Sequence, residues 1–261
     1  MSALTSFIKN AWTIRVITFV IIIVVWQLSA YFLNPIYLST PLAIASAFVG
    51  LFQGTGNYNL ASATAVTLEA TLIGFGISIL IGLPVGLFMG MFRTIDTALD
   101  PYVNGLYVTP RIALVPLIII WFGIAFNAIV VTVIMVAVFP IIINTYAGVR
   151  NIGKSTLDVT KVFGVKGWLR FKRVIFPATI PFFMTGLRLG IGQALIGVIV
   201  AQMLLALSGL GYLITAFGNY LETAQLMALI IELMILGVIM TFSVQIVEKR
   251  LSYWKESERA F

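Results

Sequence analysis

Apolar residues run along this chain in blocks too long and too continuous for one face of a surface helix. Six such blocks occupy residues 16–33, 61–92, 99–122, 128–148, 178–205 and 224–247. As helices rising about 1.5 Å per residue, each is long enough to cross a hydrocarbon core roughly 30 Å thick. Lys9 and Arg15 precede the first block, as in a secretory signal. Its length and the blocks behind it predict a retained anchor instead. Residues 34–60 are uncharged and mixed. Within them, 41–53 predicts a short helix with Ala, Ile, Phe and Leu on one side, lying in the membrane interface. The third block contains Pro101, Pro110 and Pro116, which predicts a kinked or broken span. The second carries Gly74, Ser78, Gly82, Gly86 and Gly90 four residues apart, hence on one helix face. Such a face lets another helix approach closely, and packing is the simpler reading of it than a place in a translocation path.

Charge adds direction. With six crossings, Lys9, Arg15, Arg93, Arg150, Lys154, Lys161, Lys166, Arg170, Lys172, Arg173, Lys249, Arg250, Lys255 and Arg259 all fall on one side. Only Arg111 and Arg188 lie within spans, and the outer loops hold no lysine or arginine. The positive-inside rule then predicts cytoplasmic termini (1–15 and 248–261) and a cytoplasmic loop at 150–177. Composition agrees. The 261 residues are 61% hydrophobic and 10% charged, with mean hydropathy +1.08. A soluble domain has about 25% charged residues. Cysteine and histidine are both absent, which excludes disulfides, thiol or imidazole catalysis and most zinc sites. The net charge of +7 is accounted for by orientation, without nucleic acid.

Residues 148–155 read GVRNIGKS and satisfy the G-x-x-x-x-G-K-[ST] pattern of a phosphate-binding loop. That loop works between a buried strand and a helix in an α/β domain. Here it follows a membrane span, so the match is read as chance, and any ATP is bound by another chain. The same basic stretch predicts a helix over 156–163, opened by a Ser155-x-x-Asp158 capping box and ended by Gly164. A second amphipathic piece over 166–174 carries Trp168, Leu169 and Phe171 among cations, closed by Pro177. An orientation signal needs only the charges; apolar residues among them suit a docking surface.

Asp158-Val159-Thr160, three residues, Gly164, nine residues and Val174-Ile175-Phe176-Pro177 resemble the E-A-A-x3-G-x9-I-x-L-P loop of ABC-importer permeases. The segments PRIALVPLIIIWFGIAFNAIVV (110–131), FPIIINTYAGVR (139–150), GLRLGIGQALIGVIVAQML (186–204) and SGLGYLI (208–214) are similar to the nitrate, sulfonate and taurine branch. Glu69 and Gln202 depart from that branch, which tends to have a basic residue at the first position and often Glu at the second. The resemblance implies an all-α membrane protein of type I importer permease architecture, with six transmembrane helices and a cytoplasmic coupling helix, in the bacterial inner membrane. It implies a second permease copy, identical or related, an extracytoplasmic substrate-binding protein, and cytoplasmic ATPases that bind ATP and magnesium. This chain would hold no cofactor and catalyse nothing. Asp158, Val159, Thr160, Phe163, Gly164, Trp168 and Pro177 would couple to the ATPase. The cargo would be a small solute: nitrate, a sulfonate, taurine, bicarbonate or a small heterocycle.

Polar groups inside spans are costly and invite a functional reading. Glu69, Arg111, Asn144, Arg188, Gln193 and Gln202 are candidates for the translocation path or its gate, and Glu232 is a further ionisable group within a span. The competing reading is that Arg111 and Arg188 pair with carboxylates or helix-end carbonyls and hold the bundle together. A self-sufficient secondary transporter or channel is the alternative function, although no clear internal repeat supports it. No Ser/His, metal-ligand or paired-carboxylate arrangement supports an intramembrane enzyme.

Overall fold

The computed structural model describes residues 11–54, 58–205 and 208–251. The N-terminal Lys9, the outer-loop residue Asn57 and the tail residues Lys255 and Arg259 lie outside the described residues. The helices are α1 (Ala11–Phe32), α2 (Pro41–Gln53), α3 (Leu60–Met91), α4 (Arg93–Val108), a 3-10 turn (Arg111–Leu114), α5 (Val115–Phe122) and α6 (Phe126–Arg150). After these come α7 (Lys154–Val162), α8 (Gly167–Arg170), a π turn (Phe171–Ile175), α9 (Phe176–Leu205), α10 (Leu210–Asn219) and α11 (Thr223–Leu251). No strand occurs among the described residues. Five helices are long and apolar enough to cross a membrane, and α4 with α5 forms a sixth candidate broken by a 91° bend. The protein is an all-α, multi-pass membrane protein.

The chain divides into two compact units. The smaller is drawn from Met1–Ala63 and Leu213–Leu233. In it, Thr40 caps α2 by accepting from the Ala43 N–H at 3.2 Å, and Pro41 follows at the first helical position. Gly54 ends α2 at φ 72. Tyr58 meets Phe217 edge to face at 5.1 Å, and the Thr223 hydroxyl donates to the Ile36 carbonyl.

The larger unit holds Thr64–Tyr212 and Met234–Phe261, and α6 is its axis. The glycine face of α3 packs against it. A Cβ on Gly74 would lie 2.6 Å from Val133, on Gly82 2.9 Å from Ile141, and on Gly90 2.5 Å from Val149. Ser78, in the same row, donates to the Gly74 carbonyl at 2.8 Å and is fully buried. Side chains larger than these would push the two backbones apart, which identifies the stripe as a packing seam. On the opposite flank, Gly148 meets Thr179 and Phe182, Gly186 meets Pro140 and Asn144, and Gly197 meets Val136. The glycines of α9 therefore form a second seam.

The order of these contacts gives direction. Along the first seam both sets of numbers rise, so α3 and α6 run parallel. Along the second they run oppositely, so α9 is antiparallel to α6. Two parallel neighbours require the chain to cross back between them, and α4, the 3-10 turn and α5 supply that crossing. The third span thus begins at Arg93, well before the expected residue 99. Its first half is amphipathic, with Arg93, Asp96 and Asp100 among its residues, so no unbroken apolar run marks where it begins. Pro110 lacks the N–H that would carry the helix onward, and the chain turns there.

Candidate functional site

Two groups of residues are candidates for function: the loop between α6 and α9, and the polar residues embedded in the bundle. The loop leaves the end of α6 at Arg150, the same end as Arg93 and as the last turn of α11 with Lys249 and Arg250. Gly153 is the N-cap of α7, with no side-chain cap, and its carbonyl accepts from the Leu157 N–H at 3.2 Å. This corrects the expected capping box. The helix begins at Lys154, so Ser155 already lies inside it and Asp158 sits mid-helix. Asp158 instead pairs with Lys161 at 2.7 Å, both groups exposed. The C-terminus is a Schellman motif: the Val165 N–H bonds the Thr160 carbonyl at 2.8 Å, and the Gly164 N–H bonds Lys161 at 3.0 Å. Gly164 takes φ +67, and a Cβ there would meet nothing within 4 Å. Glycine is needed at this point for backbone conformation alone.

The turn sorts the candidate coupling residues. Thr160 is 5% exposed and bonds back to the Leu157 carbonyl at 2.7 Å. Val159, Phe163 and Trp168 are 54%, 78% and 72% exposed. Val162, which no motif singled out, is 84% exposed. Pro177 does not close the second piece, and this too is a correction. The chain continues as one helical stretch from Gly167 to Leu205, with Pro177 near the start of α9. A π turn at Phe171–Ile175 precedes it, a widening that accommodates a ring with no N–H to donate. The phosphate-loop match is split between structures: Gly148 is inside α6 against Phe182, and Gly153 opens α7. Helix–turn–helix geometry gives no cradle of loop amides.

Within the bundle, Arg111 donates to the Val136 carbonyl at 3.0 Å and lies over the rings of Tyr107 and Phe139 at 5.2 and 5.6 Å. That carbonyl is free because its helical partner four residues on is Pro140, which has no N–H. Arg188 of α9 pairs with Glu248 of α11. Glu248, counted in the sequence as the start of the tail, belongs to the last helix. Gln202 is fully buried. Its Oε1 accepts from the Thr67 hydroxyl at 3.0 Å and from the Gly211 N–H at 3.1 Å. Thr67 in turn accepts from the Leu210 N–H at 2.9 Å. This bond set ties α3, α9 and the turn into α10, where Gly209 takes φ +91. Asn144 is half-buried and donates to the Pro140 carbonyl at 2.8 Å, Gln193 is half-buried, and Glu69 is exposed on α3. These polar residues lie on several different helices. Among the described residues, no group of acidic side chains could hold a metal ion.

Residues 82–253 match the family described as binding-protein-dependent transport system inner membrane component. A permease of Escherichia coli (strain K12) named for aliphatic sulfonate transport, SsuC, is 34% identical over 248 residues, covering 93% of each chain. An ABC transporter permease protein of Methanocaldococcus jannaschii is 30% identical over 237 residues, 90% of this chain and 89% of the relative. Among solved structures, an inward-facing form of the MetNI methionine ABC transporter matches with TM-score 0.64 at 18% identity, covering 74% of this chain and 95% of that one. At that identity the likeness is one of fold.

Proposed function

The chain belongs to the family of binding-protein-dependent transport system inner membrane components, and from that premise we propose how it works. It is an ABC-transporter permease subunit, and ATP is hydrolysed by separate subunits. Paired with a second permease copy, it forms the path of an importer and is driven through the loop at Lys154–Trp168. The observation that carries this reading is the exposed apolar surface of Val159, Val162 and Phe163 on an otherwise basic loop. Water does not favour such a cluster, and a protein partner would cover it. ATPase closure then pushes on α7, and the rigid continuation of Gly167–Leu205 carries the motion into the bundle. This is a two-state element biased from a distant site, as coupling requires.

The basic end of the larger unit faces the cytoplasm, with both termini on that side. A single cysteine at Asn57 tests this, since the chain has none of its own; labelling from the cytoplasm alone would overturn it. The first cargo class to try is aliphatic sulfonates, supported by the Escherichia coli relative. Arg111 donates to the Val136 carbonyl and Arg188 pairs with Glu248, which supports a structural role for both over selection of a free anion. Coupling is tested by Gly164→Val and Asp158→Lys. Both variants insert normally, and both lose the ATPase or uncouple hydrolysis from transport. Parental behaviour in both would reduce the loop to an orientation signal.

A further inference from the structure

A cavity of about 850 Å³ lies beside the loop, within the larger unit. One wall is the last two turns of α3, where Leu83, Leu87 and Phe88 face it. Arg150, Lys154 and Arg170 also line it, among Leu157, Trp168 and Phe171, and no carboxylate does. Its size falls in the range of small-molecule sites, roughly 300–1,000 Å³. Arg150 is engaged by Asp96 at 3.6 Å. Lys154 and Arg170 make no ion pair among the described residues, and the Arg170 Nε is buried without a hydrogen-bond partner. A buried guanidinium nitrogen without an acceptor is costly, and an anionic oxygen in the cavity would relieve it.

We propose that this cavity binds an anionic phospholipid of the cytoplasmic leaflet, its phosphate held by Lys154 and Arg170 and its acyl chains lying along α3. The proposal rests on the reading that the basic end faces the cytoplasm. The composition of the lining carries it: a largely apolar cavity, walled in part by a membrane helix, that holds two cations with no ion pair among the described residues. A free nucleotide has no use for the apolar wall. A basic pocket at the cytoplasmic end of membrane helices attracts anionic headgroups at about 1 kcal/mol per cation. The lipid would brace the junction of α6, α7 and α8, so coupling would depend on the anionic lipid present.

The test is native mass spectrometry of the full chain, taken with its ATPase from vesicles of equal parts phosphatidylglycerol and phosphatidylcholine. The parent retains phosphatidylglycerol selectively. Lys154→Gln with Arg170→Gln weakens retention roughly thirtyfold, the effect of two such cations. Lys154→Gln alone, at an exposed and unpaired side chain, weakens it about fivefold with no threat to folding. Lys166→Gln with Lys172→Gln, outside the cavity, changes it little. Equal loss in this control, equal retention of phosphatidylcholine, or release of the lipid when the ATPase binds would each overturn the proposal. If lipid is retained but no ATPase co-purifies, the coupling reading fails and the lipid site stands.

Discussion

The seam between α3 and α6 and the loop at Lys154–Trp168 use opposite chemistry within one unit. The seam puts glycine where a large side chain would be sheltered from both water and lipid. The loop puts valine, phenylalanine and tryptophan where water reaches them. In the seam, the partner helix is already present, and small residues let it come near. In the loop, the apolar side chains are uncovered, and the partner we propose for them is another chain. A hydrophobic membrane helix is therefore not the most informative apolar feature of this protein, because lipid accounts for it. The apolar patch on α7, at Val159 and Val162 with Phe163 beside them, lies outside the membrane helices and is not explained by lipid.

Substitutions at the seam have the largest effect. Gly90→Leu sets new carbon against Val149, far inside the roughly 3.5–4.0 Å of a comfortable contact. Gly86→Val meets the Ile142 carbonyl and Thr145 in the same way. Overpacking of this kind costs about 1–3 kcal/mol or more, so both variants lower folded yield and thermal midpoint in detergent. Normal stability would show that the helices separate more easily than the seam implies. Gly164→Val comes next. No neighbour crowds it, so the cost is that of a positive φ, about 1–2 kcal/mol. Because the loop can shift instead of unfolding, transport falls while the thermal midpoint holds.

The Arg188–Glu248 pair is a milder test. It joins α9 to α11 with both side chains partly exposed. A double-mutant cycle of Arg188→Gln and Glu248→Gln should give a coupling energy of order 1 kcal/mol in stability, with cargo preference unchanged. Altered cargo choice with intact stability would move Arg188 from the bundle's structure to its pathway. Smallest of all is Lys154→Ala, which leaves nucleotide binding by the assembled complex unchanged when measured with a fluorescent ATP analogue. Lost binding in an intact complex would mean that the 148–155 pattern holds phosphate after all.

Much of this was legible in the sequence, and the failures have physical causes. Apolar block length located five spans closely, because lipid rewards hydrophobicity wherever a helix is bare. The broken third span was harder. Its opening half, Arg93–Val108, is amphipathic, and a break at Pro110 divides the signal. Spacing exposed the α3 glycines at regular intervals of four, whereas Gly186, Gly190 and Gly197 on α9 are unevenly placed. The capping box failed because Gly153 adopts an extended conformation that starts the helix at Lys154 before Ser155 is reached. Pro177 misled because a π turn lets the helix run through it. Partners distant in sequence were not accessible at all: nothing near Arg188 announces Glu248, and nothing near Arg111 announces the carbonyl that Pro140 leaves free.

The central claim is that the loop's apolar surface seats an ATPase. The direct measurement is ATPase retention by affinity-purified Val162→Asp with Phe163→Asp, beside a thermal scan of the permease itself. Both side chains are exposed, so the permease should melt as the parent does. Losing two buried apolar contacts at about 1.5–3 kcal/mol each predicts a roughly hundredfold or greater loss of ATPase affinity. Full retention of the ATPase by a normally folded double variant would contradict the account.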